Sequence, residues 1–399
     1  MKTFSAWQFT FFRILFGSYL TIHFAHLIPY ANELFGHEGI LGNPALNPAH
    51  SIFPNPLALS IPAAGVTAIV AGLAGLSLLF TLGWMRPGIS VILWFGWTAL
   101  FHRNNLIANP SIPYIGLLLL LCALVPTGEP LSLSRPRNET PWFMPKWVFR
   151  CAWILLAAGY TFSGYTKLFS PSWIDGSAMS HLLHNPLARP GFMRDIMLAL
   201  PSGFLALMTW STLLAELAFL PLSLWKRTRP WIWLALVAMH LGIMFAVNFA
   251  DLSIGMLMIH FFTFDPDWLP AGKSSKASEK TVTLAYDGEC LMCSRFIRFL
   301  AAEDRGKRIR FTTLQASGVR EITSMHVTCE GKTLTESAAF LTLLDALGGH
   351  WRVLAFSGRL VPKPIRNRIY QFIAARRYRW FGKNPSCDLP PRELLERIE

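Results

Sequence analysis

The chain has 399 residues, of which 52% are hydrophobic and 15% charged, with a mean hydropathy of +0.38. That is too apolar for an ordinary soluble protein of this length. The net charge of +13 is uneven: residues 1–272 carry 14 Lys and Arg against 10 Asp and Glu, and residues 273–399 carry 22 against 13. An apolar front and a basic tail point the tail at anionic lipid headgroups rather than at nucleic acid.

In chain order, the first apolar run covers residues 7–28. It follows a single Lys2 and runs on without an Ala-x-Ala-like exit, so a first transmembrane helix is expected rather than a cleaved signal peptide. Further runs of spanning or near-spanning length cover 61–84, 88–101, 112–126, 147–167, 202–225, 231–249 and 251–264. About eight spans result. With the N-terminus inside, the inside loops hold Arg86, Arg135, Arg137, Lys146, Lys226, Arg227 and Arg229, and the outside loops only Arg103, Arg189 and Arg194. This bias places the tail in the cytosol, on a bacterial-type inner or cell membrane.

Polar residues inside these runs are candidate functional groups, because hydrocarbon penalises them unless they are partnered. Lys167 ends the fifth run. A desolvated ammonium titrates easily and can serve as a general base, but a lysine at that depth can equally snorkel to the headgroups. Glu216 lies mid-run and needs a partner, for which His240 in the next run is the candidate. Both are candidate ligand-binding residues, as is Trp173, and His260 ranks below them. His23 with His26 and His181 with His184 have i, i+3 spacing. Two histidines without a third ligand favour packing over a metal, and no metal is assigned.

Residues 269–280 read as a polar linker between a membrane domain (1–268) and a small domain (281–399). In the small domain, 281–286 is a predicted strand, 290–302 a helix and 309–314 a second strand. Two short strands flank Glu330-Gly331, a helix with Ser337 as N-cap follows over 337–347, and a basic helix lies over 366–377. The order β-α-β-β-β-α fits a thioredoxin-like layout. In the basic stretch 363–383, Ile365, Ile369, Phe372 and Ile373 share a face, suited either to a membrane surface or to the domain's own sheet.

Of six cysteines, Cys122 and Cys151 lie in apolar runs, and Cys329 and Cys387 stand alone in the tail. Cys290-x-x-Cys293 follows Tyr286-Asp287-Gly288-Glu289 at a strand-to-helix junction. A thiolate at a helix start is stabilised by unpaired N–H groups, so Cys290 is the expected nucleophile and Cys293 the resolving thiol. Asp287 can relay a proton or shape the turn. Half a zinc site is the alternative for one Cys-x-x-Cys.

The Asp287-x-x-Cys290-x-x-Cys293 motif and the ending 379–387 resemble the DCC family of thiol-disulfide oxidoreductases. The resemblance implies a thioredoxin-like fold with Cys290 and Cys293 as the redox pair and a thiol-bearing protein or small molecule as partner. Cys387 is either a third redox thiol or a structural residue typical of that family, and the second reading is favoured. The segment 160–176, with Gly164-Tyr-Thr-Lys167-Leu, Trp173 and Gly176, resembles the HTTM family, the membrane module shared with vitamin K-dependent γ-carboxylase. That resemblance implies a quinone or hydroquinone in the membrane domain, with Lys167 as base. It does not imply carboxylation.

Overall fold

The computed structural model describes residues 6–48, 52–134, 142, 144–268, 281–304, 306–316 and 324–383. The chain divides into two compact units, Met1–Phe264 and Asp265–Glu399. The expected linker 269–280, Arg135, Arg137 and Cys387 lie outside the described residues.

The first unit is helical: α1 (Ala6–Leu27), α2 (Ala31–Phe35), α3 (Ala63–Thr81), α4 (Arg86–Arg103), α5 (Ile112–Leu124), α6 (Lys146–Lys167), α7 (Pro171–Ile174), α8 (Ala178–His184), α9 (Phe192–Ala199), α10 (Ser202–Leu224), α11 (Arg229–Ala246) and α12 (Ala250–Thr263). Each of the eight apolar runs is a helix (α1, α3, α4, α5, α6, α10, α11 and α12). Among the described residues, four helical segments are long and apolar enough to cross a membrane: Ala6–Phe35, α3, α10 and α11. α5 and α12, with 13 and 14 residues, fall short of the roughly 20 that span a bilayer.

α1 packs on α3, α4 on α5, and α6 on α10, which in turn lies against α11. Gly164 lets α6 approach α10: a Cβ there would lie 2.9 Å from Leu217 N and 3.1 Å from Glu216 Cβ. Pro221 interrupts the hydrogen-bond ladder of α10. One turn earlier, Thr161 of α6 accepts from Leu220 N (3.2 Å) and donates to Glu216 O (3.4 Å), a side chain inserted into the ladder.

Among the described residues of this unit, three arginines are fully buried. Arg13 and Arg86 share Glu129 Oε1 at 3.2 and 3.0 Å, and Arg86 also donates to Val125 O and Pro126 O. Arg103 donates to Gly36 O and Leu41 O instead of to a carboxylate. Arg86 therefore acts as a buried partner of Glu129, where loop charge counting made it a free inside-loop cation.

The second unit holds a mixed four-stranded sheet: β1 (Val282–Tyr286), β2 (Ile309–Thr313), β3 (His326–Cys329) and β4 (Lys332–Thr335), in the order β2-β1-β3-β4. β1 and β2 are parallel, with Leu284 opposite Phe311, and are joined through α13 (Leu291–Glu303). β3 and β4 run antiparallel around Glu330-Gly331, whose φ values of 51° and 74° suit a tight hairpin. Val282, Leu284, Ile309, Phe311 and Val327 form the buried sheet face, with Ile297 and Leu300 of α13 also in the core.

Three helices follow: α14 (Glu336–Leu347), α15 (Gly349–Leu360) and α16 (Lys363–Phe381). α14 begins after Thr335, not at Ser337. Ser337 lies in the first turn and its hydroxyl donates to Asn367 of α16. α15 had no counterpart among the predicted elements, and α16 extends past both ends of the predicted 366–377. Val353, Leu354, Phe356 and Leu360 of α15, with Ile365, Ile369, Phe372 and Trp380 of α16, are each 50% or more exposed. Residues 349–381 hold eight Lys and Arg and no acidic residue. The two helices thus present an apolar and cationic surface.

Candidate active site

Parallel pairing of β1 with β2 places the 287–290 turn at the C-terminal end of the central strand, where α13 starts. Cys290 is the N-cap residue of α13, with extended backbone angles (φ −90°, ψ 115°). Its thiol is held down to about 6. The first cause is a hydrogen bond from the Cys293 thiol; the backbone N–H groups of Cys293 and Met292 add to it, and burial opposes both. Cys293 is pushed up by the same contact and by its own burial. Both thiols are free. The pair is therefore asymmetric, a thiolate beside a proton-holding thiol.

The two sulfurs face different surroundings. Cys290 is 0% exposed. Its backbone pairs with that of Lys383 in an isolated β-bridge, and Lys383 Nζ lies 3.8 Å from Glu289 Oε2. Cys293 is half-buried and lines a cavity of about 440 Å³ within this unit. Spacing alone made Cys290 the attacking group. Attack on a disulfide from outside requires this buried sulfur to become accessible.

Asp287 is buried and saturated with donors. Oδ1 accepts from Glu289 N (3.1 Å) and Gln315 Nε2 (3.2 Å). Oδ2 accepts from Arg377 Nη2 (3.2 Å) and from the Tyr378 hydroxyl. Gln315 Oε1 in turn accepts from Gly288 N (3.2 Å). Asp287 thus fixes the turn and ties it to α16. Arg377, Tyr378 and Gln315 are members of the site that sequence reading missed. They lie 28 to 91 residues from Asp287, and no local pattern links them to it.

Lys167, Glu216 and Trp173 do come together in the first unit. Lys167 Nζ donates to Glu216 Oε2 (2.5 Å) and Ser163 Oγ (2.7 Å), and stands 4.9 Å from the centre of the Trp173 ring. The partner of Glu216 is thus Lys167 and not His240. His240 belongs to a neighbouring cluster. The Tyr160 hydroxyl lies 2.7 Å from His240 Nε2 and 2.8 Å from His260 Nε2, while both Nδ1 atoms are buried without a hydrogen-bond partner among the described residues. Tyr160 opens the 160–176 motif yet drew no role from sequence.

His23 pairs with Asp251 (3.0 Å), and His184 Nδ1 with Ser180 O (2.8 Å). Among the described residues no group of three His, Cys, Asp or Glu could hold a metal ion.

A parallel β-α-β unit that delivers a low-pKa cysteine and a resolving thiol to a helix start defines a dithiol redox module. Residues 284–383 match the DCC1-like thiol-disulfide oxidoreductase family. An uncharacterized protein of Bacillus subtilis (strain 168), YuxK, is 34% identical over 128 residues, which cover 29% of this chain and 91% of that protein. A chloroplastic DCC family protein of Arabidopsis thaliana is 26% identical over 134 residues, 31% of this chain and 78% of that protein. No solved structure matches. Through its C-terminal unit, the chain belongs to the DCC1-like thiol-disulfide oxidoreductase family.

Proposed function

We propose that the protein is a membrane-anchored thiol-disulfide oxidoreductase with a thioredoxin-like catalytic unit on the cytosolic side of the cell membrane. The observation that carries this reading is the Cys290 thiol, held at about 6 at the N-cap of α13 with Cys293 one turn on. In the exchange, the Cys290 thiolate attacks one sulfur of a disulfide, and the other sulfur leaves and takes a proton. Cys293 then loses its proton and attacks the Cys290 sulfur, which closes the Cys290–Cys293 disulfide and frees the second thiol. The partners in this reading are a thiol-bearing protein or small molecule. The N-terminal helices, read as an HTTM-like bundle of about eight spans, are the anchor.

The Lys167–Glu216–Trp173 arrangement favours a second, linked reading. Lys167 holds and moves protons for a quinone or hydroquinone bound in the bundle, with Glu216 setting its position and Trp173 a flat wall. Maleimide gel shift of the Cys290–Cys293 pair in cells tests both readings. The oxidoreductase reading expects a partly oxidised pair. The linked reading expects Lys167→Ala to shift the ratio. A fully reduced pair under oxidative challenge would sink the first reading, and an unchanged ratio the second.

Lipid headgroups are the proposed partner of the α15–α16 surface, whose exposed apolar residues and excess of cations match an anionic interface. Hydrogen exchange of the full chain in nanodiscs checks this. Amides of 349–381 should be protected in anionic relative to zwitterionic lipid, and equal exchange in the two lipids would count against the seat.

A further inference from the structure

The cavity beside Cys293 has the form of a ligand site. Its volume of about 440 Å³ falls in the range of small-molecule pockets. The wall is mostly apolar and rich in rings. Phe296 and Phe340 stack with centroids 5.7 Å apart, Tyr286 and Tyr370 contribute two more rings, and Met292 and Met325 fill between them.

Polar groups are the minority of the lining; besides Asp287, Ser324 and Ser337, four side chains bear on a ligand. Cys293 contributes the redox thiol. Arg377 is committed to Asp287. The Tyr370 hydroxyl accepts from Met325 N (3.1 Å). Arg366 also lines the cavity, and its Nε–H is buried with no acceptor among the described residues. A buried guanidinium N–H without an acceptor is costly unless an oxygen reaches it. The cavity therefore fits a molecule with a flat apolar body and an oxygen acceptor.

The occupant must also suit the thiol it meets. A protein disulfide needs the Cys290 sulfur, which belongs to a residue with no exposed surface. A molecule in the cavity meets Cys293 instead. We infer that this cavity binds a quinone-class compound, an apolar ring bearing carbonyl oxygens, as the direct two-electron partner of the dithiol. This rests on the oxidoreductase reading and deepens it, and it places the electron exchange within the C-terminal unit.

The step balances. The reduced pair enters as the Cys290 thiolate and the Cys293 thiol. The sulfurs join in an S–S bond and lose two electrons to the ring. The Cys293 proton and one proton from solvent go to the two ring oxygens, so the quinone leaves as hydroquinone. Arg366 steadies the oxygen on which negative charge first gathers. The reverse step reduces the disulfide.

The test uses the full chain, pre-reduced, in nanodiscs. Two oxidants are compared: tetramethyl-p-benzoquinone, whose ring carbons are blocked to thiol addition, and bis(2-hydroxyethyl) disulfide. The rate of dithiol loss is read by maleimide shift. Wild type should react with both. Ala374→Phe, which fills the cavity from α16, should slow the quinone reaction at least tenfold and leave the disulfide reaction within twofold. If Ala374→Phe unfolds the unit, Ile373→Trp at the same wall takes its place. An unchanged quinone rate in a folded, cavity-filled variant overturns the inference. So does a wild type that reacts with the disulfide but not with the quinone. Failure of both oxidants overturns the oxidoreductase reading, and the inference falls with it.

Discussion

Mixed-disulfide formation at Cys290 should rise about tenfold per pH unit up to about 6 and level off above it, because the thiolate is the attacking species. An ordinary cysteine levels off only above about 8.5. Cys290→Ser should abolish the reaction. Cys293→Ser should allow the first attack and then accumulate the mixed disulfide, since the resolving thiol is gone. The largest cause of the low value is the hydrogen bond from Cys293, so Cys293→Ala should move the midpoint upward, while the hydroxyl of Cys293→Ser keeps part of the effect. Quenched-flow alkylation with mass analysis from pH 4.5 to 9 gives each profile. A wild-type midpoint above 8 would remove the electrostatic basis of the site.

The same shifts set a stability profile, with opposite signs for the two thiols. The Cys290 thiol is lowered from 9.0 to about 6 in the fold, so the unfolded chain binds the extra proton between those values. Its contribution is complete above about 9 and is lost as pH falls toward 6. Cys293 is raised, so its contribution is complete below about 9 and is lost as pH rises beyond. The reduced unit should therefore gain stability from pH 6 to 9 through Cys290 and lose it above through Cys293.

Asp287→Ala should destabilise the C-terminal unit by about 3–5 kcal/mol, the range for breaking a buried ion pair from one side. The loss leaves Arg377 facing an empty position and removes the acceptor of Tyr378, Gln315 and the Glu289 N–H. Arg377→Met alone should cost a similar amount. The double variant should cost less than the two losses combined, because it leaves no unpaired charge. Limited proteolysis of the C-terminal unit against urea concentration measures all three. Additive losses would mean that Asp287 and Arg377 do not act as a pair. Asp287→Ala should also expose Cys290 to alkylation, since the turn and the end of α16 are tied through this carboxylate.

Much of the C-terminal unit was legible in the sequence, for a local reason. Val282, Leu284, Ile309 and Phe311 alternate with half-buried residues, Glu330-Gly331 marks the hairpin, and the Cys-x-x-Cys marks the start of α13. The α15 helix was hidden between Gly348-Gly349 and the prolines at 362 and 364, punctuation that reads as loop. In the membrane-like unit, a lone Lys167 and a lone Glu216 each signalled a missing partner. Hydropathy could not say that they find each other, because that pairing depends on the close approach of α6 and α10 at Gly164. The bridge partner of Cys290 is Lys383, 93 positions along the chain, and only folding brings it there.

The Tyr160 cluster carries a consequence in its proton count. The hydroxyl has one proton, so with both imidazoles neutral it donates to one Nε2 and accepts from the other. His240 and His260 must then be opposite tautomers, one protonated at Nε2 and one at Nδ1. The cluster is satisfied at both Nε2 atoms only when the two rings differ in this way, so two chemically identical side chains on α11 and α12 are held in unlike states by one hydroxyl from α6.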